Sequence, residues 1–250
     1  MARNQTSEGI VLKSGRIGEI HKSVTFLSPT LGIINAIAHG AYKGKSKLGG
    51  VTEVFSRSTI SLYYNPPKNS YKITDVDPIS YYENLRRDLE KYYIASLWAE
   101  VILRTYAGGG EFHGVYALCC EAMTLLDRCR SDKNSTALSF FLFEYIDHLG
   151  YLPDFGSCAK CGVKLAAGDH WYVGEAASIY CPRCADTNLP KLSPGARRCL
   201  AYARGKSVSE KLKVDLDGAS SADLKRAMIA IVQHVIGGAL NTLRGAGGIL

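Results

Sequence analysis

Long apolar runs are missing from this chain. No stretch approaches the roughly 18 consecutive apolar residues that a membrane-crossing helix needs, so the sequence predicts no contact with a membrane. The opening residues, Met1-Ala2-Arg3-Asn4-Gln5-Thr6-Ser7-Glu8, carry no hydrophobic stretch of the secretory-leader kind, which points to a cytoplasmic protein. Histidine is sparse: the six residues at 21, 39, 113, 148, 170 and 234 include no metalloprotease-type pair and no evident nucleophile partner. Carboxylates are dispersed. These absences remove the common catalytic constellations and point to a binding protein, with no catalytic and no organic cofactor-binding residues to nominate. A complete P-loop is also missing, although Gly44-Lys45-Ser46 invites the comparison. The glycine that should open the phosphate-wrapping loop falls at His39, and Gly49-Gly50 interrupts the helix that should follow.

What the chain does have is charge and cysteine in particular places. Its 250 residues leave room for one large domain or two or three small ones, and the net charge is +7. Residues 1–64 hold eight basic residues (Arg3, Lys13, Arg16, Lys22, Lys43, Lys45, Lys47 and Arg57) against Glu8, Glu19 and Glu53, so most of the excess lies in the first quarter. That quarter reads as short strands at 10–12, 23–27, 32–38, 52–64 and 71–74, punctuated by Gly15, Gly18, Ser28-Pro29, Gly49-Gly50 and Asn65-Pro66-Pro67. Five such strands without a helical period predict a small barrel or curled sheet. Within the fourth, a period of two puts Ile60, Leu62 and Tyr64 on a core face and Phe55, Arg57, Thr59, Ser61 and Tyr63 on the other. An outward face with aromatics and a cation suits single-stranded nucleic acid, or the underside of a neighbouring domain. Lys43, Lys45 and Lys47 form a basic hairpin loop, able to meet phosphates or simply to be solvated.

From Tyr81 the period becomes helical. Apolar spacing of three and four predicts helices over 81–105, 112–128 and 135–149, the last rich enough in phenylalanine to be central in a bundle. Ser193-Pro194 opens a helix to Arg204, and Ser221 caps the final long one. Before them, after the helix over 135–149, lies a turn-rich stretch with Cys158-Ala-Lys-Cys161 and Cys181-Pro-Arg-Cys184, two C-x2-C pairs separated by 19 residues. Four thiolates at this spacing close a tetrahedral zinc site with no open position for water or substrate, which makes it structural. The alternatives are two disulfides or a redox dithiol, with His170 as a possible substitute ligand. Cys119, Cys120, Cys129 and Cys199 lie in apolar helical stretches and read as buried small hydrophobes.

Several local stretches together resemble the RecO family of bacterial recombination mediators. They are Thr25-Phe26-Leu27-Ser28 with Gly32-Ile33-Ile34, Gly40-Ala41 through the lysines to Lys47-Leu48-Gly49-Gly50, Phe55 leading into Ile60-Ser61-Leu62-Tyr63, and Leu192-Ser193-Pro194-Gly195. The order of parts is similar to the family over the whole chain. One departure is Ala176-Ala177-Ser178-Ile179-Tyr180, where the family commonly has glycines before its second cysteine pair.

The resemblance implies an α+β multidomain protein: a five-stranded OB-fold barrel over 1–79, a helical domain over 80–155 and 191–250, and an inserted zinc loop over 156–190. It implies a structural Zn2+ on Cys158, Cys161, Cys181 and Cys184, and DNA contacts at Lys43, Lys45 and Lys47, with Lys22 and Arg57 as further positions on the barrel. It further implies DNA repair and recombination through the RecFOR pathway in the nucleoid-associated cytoplasm. Such proteins bind single- and double-stranded DNA, anneal complementary strands and, with RecR, help RecA load on strands coated by single-strand-binding protein. The C-terminal tail of that protein would need a groove with apolar surface and a cation, for which Arg128 and Arg130 are candidates. A zinc-containing RNA-binding or translation-associated protein is the other function class compatible with a basic barrel and a four-cysteine loop.

Overall fold

A computed structural model describes residues 3–44, 46–105, 110–166, 168–186, 188–203, 205–206, 208–211 and 213–250. The chain divides into two compact units, Met1–Asp127 with Ile249–Leu250, and Arg128–Gly248. The expected boundary at 79/80 falls at the end of the last barrel strand, whereas the first unit continues through three more helices.

The first unit begins with strands β1 (Asn4–Ile17), β2 (His21–Ser28) and β3 (Gly32–Ala38), a one-turn helix α1 (Leu48–Val51), and strands β4 (Arg57–Asn65) and β5 (Ser70–Ser80). They close a barrel in the order β1-β2-β3-β5-β4, antiparallel except for the β3–β5 junction, where Ala36 faces Tyr71 and Ile37 faces Lys72. Closure leaves no unpaired strand edge. Alternation along the strands sends Val11, Val24, Phe26, Ala36, Ile60, Leu62 and Ile73 into one interior cluster. The strands are longer than their apolar cores indicated, because pairing with neighbours carries β1 and β5 well beyond their most hydrophobic residues. Beyond the barrel, α2 (Glu83–Arg87), α3 (Leu89–Thr105) and α4 (Phe112–Arg128) follow. The single helix expected over 81–105 is broken at Asp88, which is extended (φ −98°, ψ 117°) and whose carboxylate accepts from the Lys91 N–H to cap α3.

Two expectations about the barrel are corrected. The fourth strand begins at Arg57, and Phe55 is not outward: it is 2% exposed, with φ 66°, and its ring meets Tyr92 edge-on at 5.3 Å. Its N–H donates to Val11 O at 2.7 Å, so the left-handed turn ends the strand's period of two and drives the ring inward. The lysine loop is likewise not a hairpin, because β5 lies between β3 and β4 in the barrel.

The second unit contains α5 (Asn134–His148), a three-stranded sheet of β6 (Trp171–Val173), β7 (Ile179–Tyr180) and β8 (Lys191–Leu192), and helices α6 (Pro194–Ala203), α7 (Val208–Lys211), α8 (Gly218–Val235) and α9 (Asn241–Gly245). Residues 136–143 of α5 are all buried, as its aromatic content predicts, and α8 packs against it with Leu224, Met228, Ile231 and Val232 inside. The N-cap of α8 is Asp217, whose carboxylate accepts from the Ser220 N–H at 2.8 Å; Ser221 sits inside the first turn. Either residue type can cap, and the helix starts at the earlier one because its fixed charge also suits the helix N-terminus.

Candidate nucleic-acid interface and metal centre

The chain between β3 and β4 carries a group of exposed lysines. Gly40 (φ 69°) turns the backbone out of β3, its N–H donates to His21 Nδ1 at 3.1 Å, and Gly40 O accepts from the Lys43 N–H at 3.0 Å. Lys43 and Lys47 are exposed and make no ion pair among the described residues; Lys45 lies outside those residues. Tyr42 is 43% exposed, with the Arg16 guanidinium 5.1 Å from its ring centroid. Gly49-Gly50 lie inside the one-turn α1, which ends at Val51 and is not the long helix that a P-loop needs. A Cβ at Gly49 would stand 2.8 Å from Ala41 O, so only glycine lets α1 pack this closely.

Two cations outside the sequence reading join this region. Burial lowers the His39 pKa, and the positive charges of His21, Lys72 and Lys68 push it lower still. The sequence signal for Lys68 and Lys72 is weak, because the parallel β3–β5 pairing that sets Lys72 beside Ile37 joins residues far apart in the chain.

Lys22 occupies a different environment. It is 1% exposed, and its ammonium donates to Gly49 O at 2.9 Å and to Glu53 at 2.6 Å. It holds α1 against the barrel. Truncating Glu53 to Ala should therefore cost about 2 kcal/mol of unfolding stability, lower than for a fully buried pair because Glu53 is partly solvated. Denaturant titration measures this; a loss below about 0.5 kcal/mol would show that the pair holds nothing in place. Arg57 is also engaged. It donates to Glu8 at 2.7 Å and to the Tyr116 hydroxyl at 3.1 Å, and that hydroxyl donates to Glu8 at 2.9 Å. The hydrogen bonds from Arg57 and Tyr116 lower the Glu8 pKa, while burial and the carboxylate raise that of Tyr116. The Arg57 charge is thus matched by Glu8, with its side chain still 29% exposed.

In the second unit the four expected cysteines meet. The Sγ atoms of Cys158, Cys161, Cys181 and Cys184 all lie within 4.8 Å of one another, and Cys161 and Cys181 are 3.8 Å apart. A tetrahedron with Zn–S bonds of about 2.3 Å has sulfur–sulfur edges of about 3.8 Å, so the donor set fits one such ion. His170 is exposed and outside the cluster. Two tight turns present the sulfurs. Gly162 (φ 70°) donates to Cys158 O at 2.8 Å, and Cys184 and Ala185 both donate to Cys181 O at 3.0 Å. Burial raises the Cys158 thiol pKa, but N–H groups of Cys181, Cys161 and Lys160 outweigh it and bring the value to about 6. The remaining cysteines, 119, 120 and 199, are buried in helices, with Cys129 half-buried.

The Ala176-Ala177 departure has a structural consequence. Both residues adopt left-handed backbone, with φ 50° and 59°, in the turn before Cys181. An L-residue with a Cβ costs about 1–2 kcal/mol there, partly offset because glycine loses more chain entropy on folding. Ala176→Gly and Ala177→Gly should each stabilise the protein by about 0.5–1 kcal/mol in thermal or denaturant unfolding. A destabilising result for both would mean that the turn has another conformation.

Arg128 and Arg130 are exposed, and Arg130 pairs with Asp132 at 3.3 Å. No helix among the described residues is long and apolar enough to cross a membrane.

Comparison with known proteins assigns the frame in which these sites work. The family description "Recombination protein O N terminal" matches residues 1–82 and "Recombination protein O C terminal" matches residues 86–244. The chain is 27% identical to the DNA repair protein RecO of Roseiflexus sp. (strain RS-1), covering 92% of this chain and 80% of the relative. It is 24% identical to that of Dehalococcoides mccartyi (strain CBDB1) over 92% and 90%, and 26% identical to that of Geobacter metallireducens over 89% and 93%. With a closed five-stranded OB-type barrel, a helical region carrying a four-cysteine cluster, and both family descriptions matched in order, the chain belongs to the RecO family of DNA repair and recombination proteins.

Proposed function

We propose that the protein binds single- and double-stranded DNA, anneals complementary strands and, together with RecR, helps RecA load onto DNA coated by single-strand-binding protein. The observation that carries this reading is the pair of exposed lysines, Lys43 and Lys47, which make no ion pair among the described residues, beside the exposed ring of Tyr42 on a closed barrel. Cations that track a backbone next to a ring that can stack on bases make a sequence-tolerant single-strand platform. Neutralising phosphates on two strands lowers their mutual repulsion, which is what annealing requires, and it makes binding fall steeply with salt. Lys68 and Lys72 extend the same surface. Lys22 and Arg57 are left to hold the barrel together. The four cysteines hold one structural Zn2+, which when bound locks the loop and performs no chemistry. The acidic tail of single-strand-binding protein is assigned to the helical region, and the protein to the cytoplasm with the nucleoid.

The test is the pairing rate of two complementary labelled DNA strands, naked and coated with single-strand-binding protein, without nucleotide. Acceleration on both substrates is expected. No acceleration by the folded protein, together with tighter binding of RNA than of DNA of equal length, would overturn the reading in favour of an RNA-binding role.

A further inference from the structure

Beside the turn that leaves β3 lies a cavity of about 410 Å3, lined by Ile20, His21, His39, Gly40, Lys43 and Ser46. Two imidazoles meet there edge to face, with 4.7 Å between the ring centroids of His21 and His39. His21 is held by the Gly40 N–H, which donates to its Nδ1 at 3.1 Å, so a proton on that nitrogen would cost a hydrogen bond. His39 is exposed and makes no hydrogen bond among the described residues. The Lys43 stem folds back over the turn: a Cβ at Gly40 would stand 3.4 Å from its Cδ. The Ser46 hydroxyl accepts from the Leu48 N–H at 3.3 Å and keeps its own proton to donate. The charged groups that act on His39 are all basic: His21 from β2, Lys72 from β5 and Lys68 from the turn between β4 and β5, with Lys43 lining the same cavity from the loop. No carboxylate is among the described residues of the lining.

A cavity lined in this way selects an anion. Its place on the barrel selects a phosphate that belongs to a strand. Ile37, two residues before His39, is paired with Lys72, and Lys72 with Tyr63, so a chain leaving the cavity meets a further cation and then a half-buried ring. A free anion uses neither. Burial and the surrounding positive charges both oppose the charged form of His39, which keeps the ring neutral at about pH 7 while the cavity is empty. A phosphodiester places a fixed negative charge beside the ring and reverses that balance. We propose that this cavity seats one phosphate of single-stranded DNA and that His39 takes up a proton from solvent as the phosphate enters. The inference rests on the DNA-binding reading and adds a regulation of that surface. Proton uptake on binding makes affinity climb as pH falls through the bound-state pKa of His39 and level off below the free-state one.

The experiment titrates labelled oligothymidylate without a terminal phosphate into the full-length protein at constant salt, from about pH 8 to about pH 6. Thymine and phosphodiester groups keep their charge throughout that range, so a pH effect belongs to the protein. The parent should bind about fivefold more tightly at the acid end, as a tenfold rise in the ring's proton affinity on binding implies. His39→Gln, which cannot titrate, should bind throughout with the weaker affinity of the parent at high pH. His39→Lys supplies a permanent charge at an exposed position and should bind tightly at both ends. A histidine with a merely structural role would produce neither flat profile. If the parent's affinity does not change with pH, or His39→Gln keeps the parent's pH dependence, the proposal is overturned while the DNA reading stands. If the parent binds no single strand at any pH, the DNA reading itself fails. The His39 imidazole resonance, followed by NMR at fixed pH, separates the two sources of phosphate. A shift with oligothymidylate is expected; a shift with inorganic phosphate and none with the oligonucleotide would make the cavity a free-phosphate site and the strand assignment wrong.

Discussion

Alanine at Cys158 is expected to lower the unfolding stability of residues 128–248 by about 3 kcal/mol or more, and chelation of the metal should do the same to the parent protein. Around the cysteines themselves little else holds the loop, although Val173, Ile179 and Leu192 are buried and β6, β8 and the turn at Glu175–Ala177 pack on α8. Strands β6, β7 and β8 have three, two and two residues, and the local apolar cluster consists of Cys158, Tyr180 and Cys181 with a few half-buried neighbours. Short strands with so small a core do not stand alone. The sulfurs themselves provide the centre, and a closed four-thiolate zinc site converts metal affinity into folding free energy. Cys199, which is as buried but lies in α6 away from the cluster, provides the control. Cys199→Ala removes one sulfur from a helix and should cost only about 1 kcal/mol. The decisive comparison is after chelation: the parent protein and Cys158→Ala should then unfold together, because the interaction the cysteine made has gone from both. If chelation leaves the parent's transition unchanged, the cluster does not stabilise the fold through a metal.

Charge reversal of Lys43 and Lys47 together to Glu should weaken single-strand binding by about a hundredfold at moderate salt, and neutralisation to Ala by about tenfold. The slope of log affinity against log salt should fall in magnitude by about 1.4 for the double alanine variant, since each single-strand phosphate that a lysine neutralises adds about 0.7 to it. Stability should hold, since both side chains are exposed and make no ion pair among the described residues. Lys22 tests the same surface from the other direction. With its ammonium enclosed by Gly49 O and Glu53, Lys22→Met should change affinity by less than about twofold while leaving a packed side chain of similar length. Equal weakening by Lys22→Met and by the Lys43/Lys47 double variant would show that binding depends on the position of α1 and not on the two exposed charges.

Much of this arrangement is legible in the sequence because it is written locally. Alternation in β2 and β3, helical spacing in α4 and α5, and the C-x2-C spacing all depend on neighbours within a few residues, where periodicity and turn chemistry act directly. Local patterns mislead where the backbone changes hand or direction. The period of two in β4 does not reach back to Phe55, because that residue is left-handed and ends it. The helical spacing after Tyr81 does not run through Asp88, which starts a new helix by capping it.

Lys22 and Lys43 show where sequence ends and tertiary structure begins. Both are lysines in the basic first quarter; the sequence puts Lys43 in a glycine-rich loop and Lys22 beside a strand, but nothing in it marks Lys22 as buried. By itself the sequence determined five short strands in a basic first quarter, a small barrel or curled sheet, then a helical region and four thiolates spaced for one metal ion, because each follows from short-range chemistry. Only the fold decided which cations remain available. Barrel closure buried Lys22 against Glu53, matched Arg57 to Glu8 and brought Lys72 alongside β3, since burial and pairing depend on residues brought together from distant parts of the chain.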